Sequence, residues 1–287
     1  MTTTRGTPTV DELDDVVMTL REWQDNTAPM QLHPGDIGWF WRFGAEATAA
    51  AVRTWSRDGD LVAIGLLDGD DLLRLAFHPQ AEADMRLAAQ VVADIADPSA
   101  GVLPDGEVCV ETPVGAAVHD LLGERGWAED EPWTVLRRDL AEPVEAPDLR
   151  IEVVGPERAD VWAAVQRSAF DNPAAVDERW FAMAAGIAHA DARSLVAHDE
   201  EDRTVAAVTV WSAGEGRPGI IEPMGVHADH RGRGHGAAIC VAAAAALREL
   251  GSSSALVATP TSNVGAVATY GAAGFAAIHE RWDRVRR

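Results

Sequence analysis

Lysine is absent from this 287-residue chain, and all 24 of its basic residues are arginine. Cysteine occurs only as Cys109 and Cys240, with no ligand pattern around either, which excludes a disulfide framework and a zinc cluster. No apolar run approaches the roughly 20 residues that a bilayer-crossing helix needs. Residues 1–8 are polar and hold no apolar stretch of the secretory kind. A cytoplasmic chain built without disulfides or metal is expected. Positive charge is scarce: 46 Asp and Glu against those arginines leave a net charge of −22. Such a field repels nucleic acid and anionic membrane, excluding both as partners. It would attract a cationic amine, and it serves equally as a solvated acidic surface.

What is present is enough apolar residue, 47%, for a sizeable core. The length suits two domains of about 140 residues each. The charge divides unevenly: residues 1–145 hold 28 acids against 10 Arg, and residues 146–287 hold 18 against 14. A Pro- and acid-rich stretch, AEPVEAPD at 141–148, reads as a linker between domains at 1–140 and 149–287.

In the first half an amphipathic helix is expected over 11–23, where Leu13, Val16, Val17, Leu20 and Trp23 fall at helical spacing. Strands at 51–55, 61–67 and 72–77 follow, separated by Asp-Gly turns. A helix (83–95), a strand (107–111), a helix (115–125) and a strand (133–140) complete the half. The second half repeats the order: strand 150–154, helices 156–170 and 175–185, strands 194–197, 204–212 and 220–226. A Gly-rich loop at 231–236 then leads to helix 237–250, strand 255–258, helix 264–273 and strand 276–285. Residues repeat as well as elements. Thr112-Pro113, Val114-Gly115-Ala116 and Gly126-Trp127 are matched by Thr259-Pro260, Val264-Gly265-Ala266 and Gly274-Phe275.

The informative stretch is VHADHRGRGHGA at 226–237. Gly232, Gly234 and Gly236 allow a tight turn into a helix N-terminus, whose free N–H groups and dipole favour an anion such as pyrophosphate. His227, His230, Arg231, Arg233 and His235 surround them with Asp229 the one acid, a basic knot inside an acidic protein. A dinucleotide fingerprint is the rival reading. It requires an acid about 20 positions on, at the end of the next strand, which here reads Ala258-Thr259-Pro260.

Arg231-Gly232-Arg233-Gly234-His235-Gly236 resembles the [QR]-x-x-G-x-[GA] pyrophosphate loop of the GNAT acyltransferase superfamily. Asn263, Ala266, Tyr270 and Gly274-Phe275 resemble the family's N-x-x-A-x-x-x-Y-x-x-x-G-F segment. The resemblance covers residues 149–287. It implies an α/β (α+β) fold of two tandem GNAT-like domains, each a mixed, mostly antiparallel twisted sheet flanked by helices. It implies acetyl-CoA as co-substrate and no metal. Met224, Gly225 and Val226 would pair with the pantetheine arm, Arg231 to Gly236 and Ala237 would hold the pyrophosphate, and Asn263 would bond the pantetheine region. Tyr270, the only tyrosine in the chain, would reach the CoA sulfur and protonate the leaving thiolate. Glu222, set by the two-residue strand period on one face with Met224 and Val226, would deprotonate the amine. A main-chain N–H at Met224 or Val226 would stabilise the oxyanion, and His227 is an alternative base. Neither cysteine stands in a nucleophile's context, so amine attacks thioester directly in a ternary complex. The chain itself has no lysine for an acyl donor to modify.

The first half departs from the pattern. Its counterpart of the loop, HPQAEADMR at 78–86, has no glycine, and Leu122 and Gly115 replace the tyrosine and asparagine. A degenerate domain without a cofactor site is expected there. The acceptor is expected near Phe170, Trp180, Phe181 and Trp211, although buried core is the favoured role for such aromatics. A small-molecule primary amine is the leading acceptor; a protein or peptide N-terminus, or a non-catalytic acyl-CoA sensor, are the other readings. The duplicated fold supplies contacts that other members gain by dimerising, so a monomer or weak homodimer is expected.

Overall fold

The computed structural model describes residues 2–174 and 177–287. In chain order the strands are β1 (Thr4–Gly6), β2 (Val52–Arg57), β3 (Asp60–Leu67), β4 (Leu72–Phe77), β5 (Val108–Glu111), β6 (Ala128–Asp139), β7 (Arg150–Val153), β8 (Ala192–His198), β9 (Thr204–Ser212), β10 (Pro218–Val226), β11 (Ser254–Pro260) and β12 (Ala276–Arg286). The helices are α1 (Leu13–Trp23), α2 (Pro34–Phe40), α3 (Ala45–Ala51), α4 (Met85–Ala96), α5 (Ala117–Glu124), α6 (Ala159–Phe170), α7 (Asp177–Ala184), α8 (His235–Glu249) and α9 (Val264–Ala272). No helix among the described residues is long and apolar enough to cross a membrane.

The chain folds into two compact units that are not contiguous in sequence. One holds residues 2–33, 45–133 and 280–287; the other holds Pro34–Gly44 and Thr134–His279.

In the first unit β1, β2, β3 and β4 pair antiparallel in succession, β4 runs parallel to β5, and residues 284–286 of β12 pair antiparallel with β5. Leu13, Val16, Val17, Leu20 and Trp23 form the buried stripe of α1 that their spacing calls for. The main core of this unit gathers around Trp55, Leu73, Leu75, Phe77, Leu87 and Val91.

In the second unit β7, β8, β9 and β10 pair antiparallel and β10 runs parallel to β11. β9 is central and buried along its length from Val205 to Ser212, which is why its sequence is a near-continuous apolar run instead of an alternating one. α8 is rich in alanine, the strongest helix former, and packs its small side chains into the core with Leu247 and Ile239. A helix joins the strands of the parallel pair in each unit, α4 in the first and α8 in the second, followed by α5 and α9. Both units thus carry the same strand pattern, the mostly antiparallel mixed sheet flanked by helices that the resemblance implies.

Three local expectations change. The strand expected to start at residue 51 is preceded by α3, because the stretch AEATAAA favours helix up to Ala51. α2 was not expected: Gly35 and Gly38 interrupt any amphipathic period there. The helix expected over 175–185 is seen as α7 from Asp177; Ala175 and Val176 lie outside the described residues.

Candidate active site

β10 and β11 are paired only over residues 218–220 against 254–256. Beyond Ile220 they part, while β10 stays paired with β9 as far as Val226 opposite Ala206. His227 N–H donates to Val205 C=O at 2.9 Å. Backbone direction alternates along a strand, so Val226 and Met224 turn their N–H and C=O groups the other way, into the gap left by the parting. The register against β9 slips between Ile221 and Met224, an irregularity of the kind that bends a strand and re-aims its side chains. The simple two-residue period that put Glu222 on one face with Met224 and Val226 is broken there.

Past β10 the chain makes a short 3-10 turn (Ala228–His230) and reaches Gly232 (φ 74°) and Gly234 (φ 85°). Both are left-handed, where a Cβ would crowd the following carbonyl. Gly234 is the N-cap of α8, and no side chain caps that end. The first-turn N–H groups have no acceptor within the helix, and the dipole adds roughly half a positive charge beside them. Arg231 Nη2 donates to Ala169 C=O at 2.6 Å, and Ala228 N–H donates to Ser168 Oγ at 3.0 Å, fastening the loop to the end of α6. The rings of His227 and His230 lie 5.4 Å apart, and those of His230 and His235 lie 6.5 Å apart. Burial, opposed by Asp199 and reinforced by His230, Arg233 and Arg203, lowers His235 below the ordinary imidazole value, so it is neutral at neutral pH.

The gap between β10, the loop and α9 is a cleft of about 800 Å³. Ten of the twelve positions expected to meet a cofactor line it: Met224, Gly225 and Val226 on the strand, the loop positions from Arg231 to Ala237 apart from Arg233, and Asn263. Arg233 lines a neighbouring hollow with Arg203 and Asp199. Asn263 caps α9, its side-chain oxygen accepting from Ala266 N–H at 3.1 Å. Tyr270 is 7% exposed, its ring 5.9 Å from that of Phe275. Burial pushes its phenol well above the ordinary value, with Cys240 and Glu222 adding to the shift, so it holds its proton through the neutral range.

A second cavity of about 400 Å³ adjoins β10 on its other stretch, lined by Glu222 and Pro223. Phe170 lines both cavities, and β10 passes from one to the other between Pro223 and Met224. Trp162, Gln166 and Phe170 supply one wall as an i, i+4, i+8 stripe of α6. Trp39, Arg42 and Phe43, from the segment Pro34–Gly44, supply another, and Arg179 of α7 completes the rim. The indole N–H of Trp211 donates to Glu222 C=O at 2.7 Å and fixes the backbone there.

Of the four aromatics expected at the acceptor, Phe170 lines both cavities and the other three lie elsewhere. Trp180 and Trp211 are core side chains, 4% and 1% exposed. Trp180 donates to Ser194 Oγ at 3.3 Å, and Phe181, 45% exposed, sits edge-on to it. None of the three lines either cavity. Sequence reasoning passed over Trp39, Arg42, Phe43, Trp162 and Arg179. A signal for the first three is the aromatic and arginine run WFWRF at 39–43; nothing comparable marks Trp162 or Arg179.

Burial pushes the thiols of Cys240 and Cys109 up to about 12, and acids around Cys109 add to its shift. Neither offers a thiolate at neutral pH. Among the described residues no three His, Cys, Asp or Glu gather as a metal site.

The first unit closes the equivalent helix end with its own carboxylate. Asp84 is the N-cap of α4 and accepts from Arg86 N–H at 2.8 Å and Leu87 N–H at 3.1 Å. Its bond to Arg57, with these backbone bonds, pulls it down to about 2. An ionised cap already holds donors that an open loop would offer to a phosphate.

A search of curated protein sequences gives no significant match. The fold is shared along 99% of the chain with a GCN5-related N-acetyltransferase from Sphaerobacter thermophilus, at 17% identity and a TM-score of 0.60 over 95% of that chain. A GNAT-family acetyltransferase from Colwellia psychrerythraea matches at 14% identity and a TM-score of 0.61, covering 99% of both chains. A tandem GNAT protein from the clavulanic acid biosynthesis pathway matches at 16% identity and 0.60, covering 99% of this chain and 98% of that one. At such identities the likeness is one of fold. The sequence model of the Acetyltransferase (GNAT) family matches residues 159–275, the stretch that builds the cleft, and the chain carries there a GNAT acetyltransferase domain.

Proposed function

We propose that the protein is an acetyl-CoA-dependent N-acetyltransferase that moves acetyl to the primary amine of a small molecule. The observation that carries this reading is the meeting of two cavities at Phe170 and the Pro223–Met224 step, one with open backbone donors at a helix N-terminus and one holding Glu222. Acetyl-CoA, the acyl donor of GNAT enzymes, would lie along residues 224–226 with its pyrophosphate on the loop. An acceptor in the smaller cavity would then reach the thioester from the other side.

Glu222 takes a proton from the ammonium, and the freed amine attacks the thioester carbonyl. The oxyanion is held by the N–H of Met224 or Val226, both turned into the cleft. Collapse breaks the C–S bond, Tyr270, which burial keeps protonated, gives its proton to the thiolate, and the surplus proton on the new amide nitrogen passes to the phenolate so formed. No covalent enzyme intermediate is called for, in keeping with two thiols pushed up to about 12. A cavity of about 400 Å³ is at the lower end of the small-molecule range of roughly 300–1,000 Å³, which supports a small acceptor over a polypeptide. A cytoplasmic setting suits an enzyme drawing on acetyl-CoA.

The test is release of free CoA thiol from acetyl-CoA with a panel of amines, beside Glu222→Gln and Tyr270→Phe. Each variant should lose about 10²-fold or more in kcat, the usual worth of a positioned acid or base, while still binding acetyl-CoA. Full activity in both variants would overturn the assignment of roles, and no thiol release with any amine would overturn the enzyme reading.

A further inference from the structure

Phe170 is the last residue of α6 and is 52% exposed, so a bound group can touch it. Among the described residues it alone lines both the cofactor cleft and the smaller cavity. The ring is held at that junction. A Cβ on Gly225 would stand 3.1 Å and 3.6 Å from two of its carbons, and 2.5 Å from the Ala169 Cβ. The end of α6 therefore rests on bare backbone of β10, at the residue between Met224 and Val226. A glycine inside a strand often marks such a close approach. Around the ring, Ala169 offers only a methyl group and Gly225 nothing. Met224 is unbranched, with three rotatable bonds, and can give way. Phe170 is the rigid part of the wall.

The reacting carbon of a thioester has three substituents: sulfur, oxygen and the acyl chain. With CoA along residues 224–226, the sulfur leads back into the cleft and the oxygen faces the N–H of Met224 or Val226. The amine arrives from the smaller cavity, so this carbon lies where the two cavities meet. The acyl chain is left at that meeting point, where Phe170 is the shared wall. Resting on the acetyltransferase reading above, we infer that the Phe170 ring sets the acyl length, leaving room for the methyl group of acetyl and excluding longer chains. Rotating the ring aside to admit them is opposed by the contact with Gly225. Crowding an already filled apolar site is destabilising, so a longer acyl chain is penalised at binding.

Calorimetric titration tests the inference without an acceptor or turnover. Acetyl-CoA, butyryl-CoA and hexanoyl-CoA are compared on the native protein, Phe170→Ala and Phe170→Leu. The quantity read is the ratio of acetyl-CoA to longer acyl-CoA affinity. A general loosening of the cleft acts on every acyl-CoA and cancels in that ratio, whereas loss of a length limit does not. The native protein should favour acetyl-CoA over hexanoyl-CoA by about tenfold or more, the lower end of what one methylene is worth in an apolar site. That preference should vanish in Phe170→Ala and shrink in Phe170→Leu, with unfolding curves reporting which variants are folded. A native preference below about tenfold overturns the inference, as does one undiminished in either folded variant. Both results leave the acetyltransferase reading standing, because acetyl-CoA is still bound. No binding of any acyl-CoA to the native protein would overturn that reading and this inference with it.

Discussion

An alanine at Gly225 would set a methyl group 2.5 Å from the Ala169 Cβ and 3.1 Å from the Phe170 ring. Comfortable carbon contacts are about 3.5–4.0 Å, so α6 and β10 must move apart by roughly an ångström. The Ala169 Cβ is fixed to the helix backbone and has no rotamer to give. Overpacking of this kind costs about 1–3 kcal/mol. The displaced helix also carries Trp162, Gln166 and Phe170, so the wall of the smaller cavity retreats from Glu222. Misplacement by about 1 Å costs on the order of 10²-fold in rate. Gly225→Ala should therefore lower stability by about 1–3 kcal/mol in denaturant titration and cut kcat/KM by about 10- to 100-fold. Adding Ala169→Gly removes the clashing methyl and should restore most of kcat/KM, at up to about 1 kcal/mol of helix propensity. A Gly225→Ala protein with unchanged stability and turnover would refute the reasoning, as would a double variant with no recovery.

Three further outcomes are expected. Trp211→Phe removes the indole bond to Glu222 C=O; it should cost about 1–3 kcal/mol in denaturant titration and lower kcat more than acetyl-CoA affinity. In the first unit, burial and the neighbouring Glu111 carboxylate push Asp283 up to about 7 against the opposing Arg281 and Arg74. A folded-state value above the ordinary 3.9 or so means that the folded chain binds the extra proton, so this stabilisation is complete below about pH 4 and is lost as pH rises through about 7. Asp283→Asn should flatten that fall in unfolding free energy between about pH 5 and 8. Asp84→Ala removes the cap of α4 and should cost about 0.5–2 kcal/mol with acetyl-CoA affinity, measured by calorimetry, unchanged.

The Gly-rich turn at 231–236 was legible because its logic is local: three glycines and a helix start lie within six residues, and Gly232 and Gly234 are left-handed as such a turn requires. The strands were legible where one apolar period ran unbroken, as in β3, β4 and β9. α2 was not, because Gly35 and Gly38 break its period and its burial comes from packing across the Trp211 ring. The smaller cavity was hidden for the same reason. Trp39, Trp162, Arg179 and Glu222 come from four separate segments, and nothing local distinguishes Trp162 from the core residue Trp180. The irregularity between Ile221 and Met224 also lay beyond a reading based on strand period, and Glu222 lines the smaller cavity and not the larger cleft. That Pro34–Gly44 belongs to the second unit and residues 280–287 to the first is likewise not encoded in sequence order.

The central claim is that the uncapped start of α8 receives the pyrophosphate of acetyl-CoA. Gly234→Asp tests it most directly, since it installs at the N-cap of α8 the kind of carboxylate that Asp84 supplies at the N-cap of α4. Aspartate tolerates the left-handed backbone better than most residues, so the variant should remain folded. Calorimetric titration should give one saturable acetyl-CoA site per chain in the native protein and none in a folded Gly234→Asp. Equal affinity in both proteins, or two sites per chain in the native one, would contradict the account.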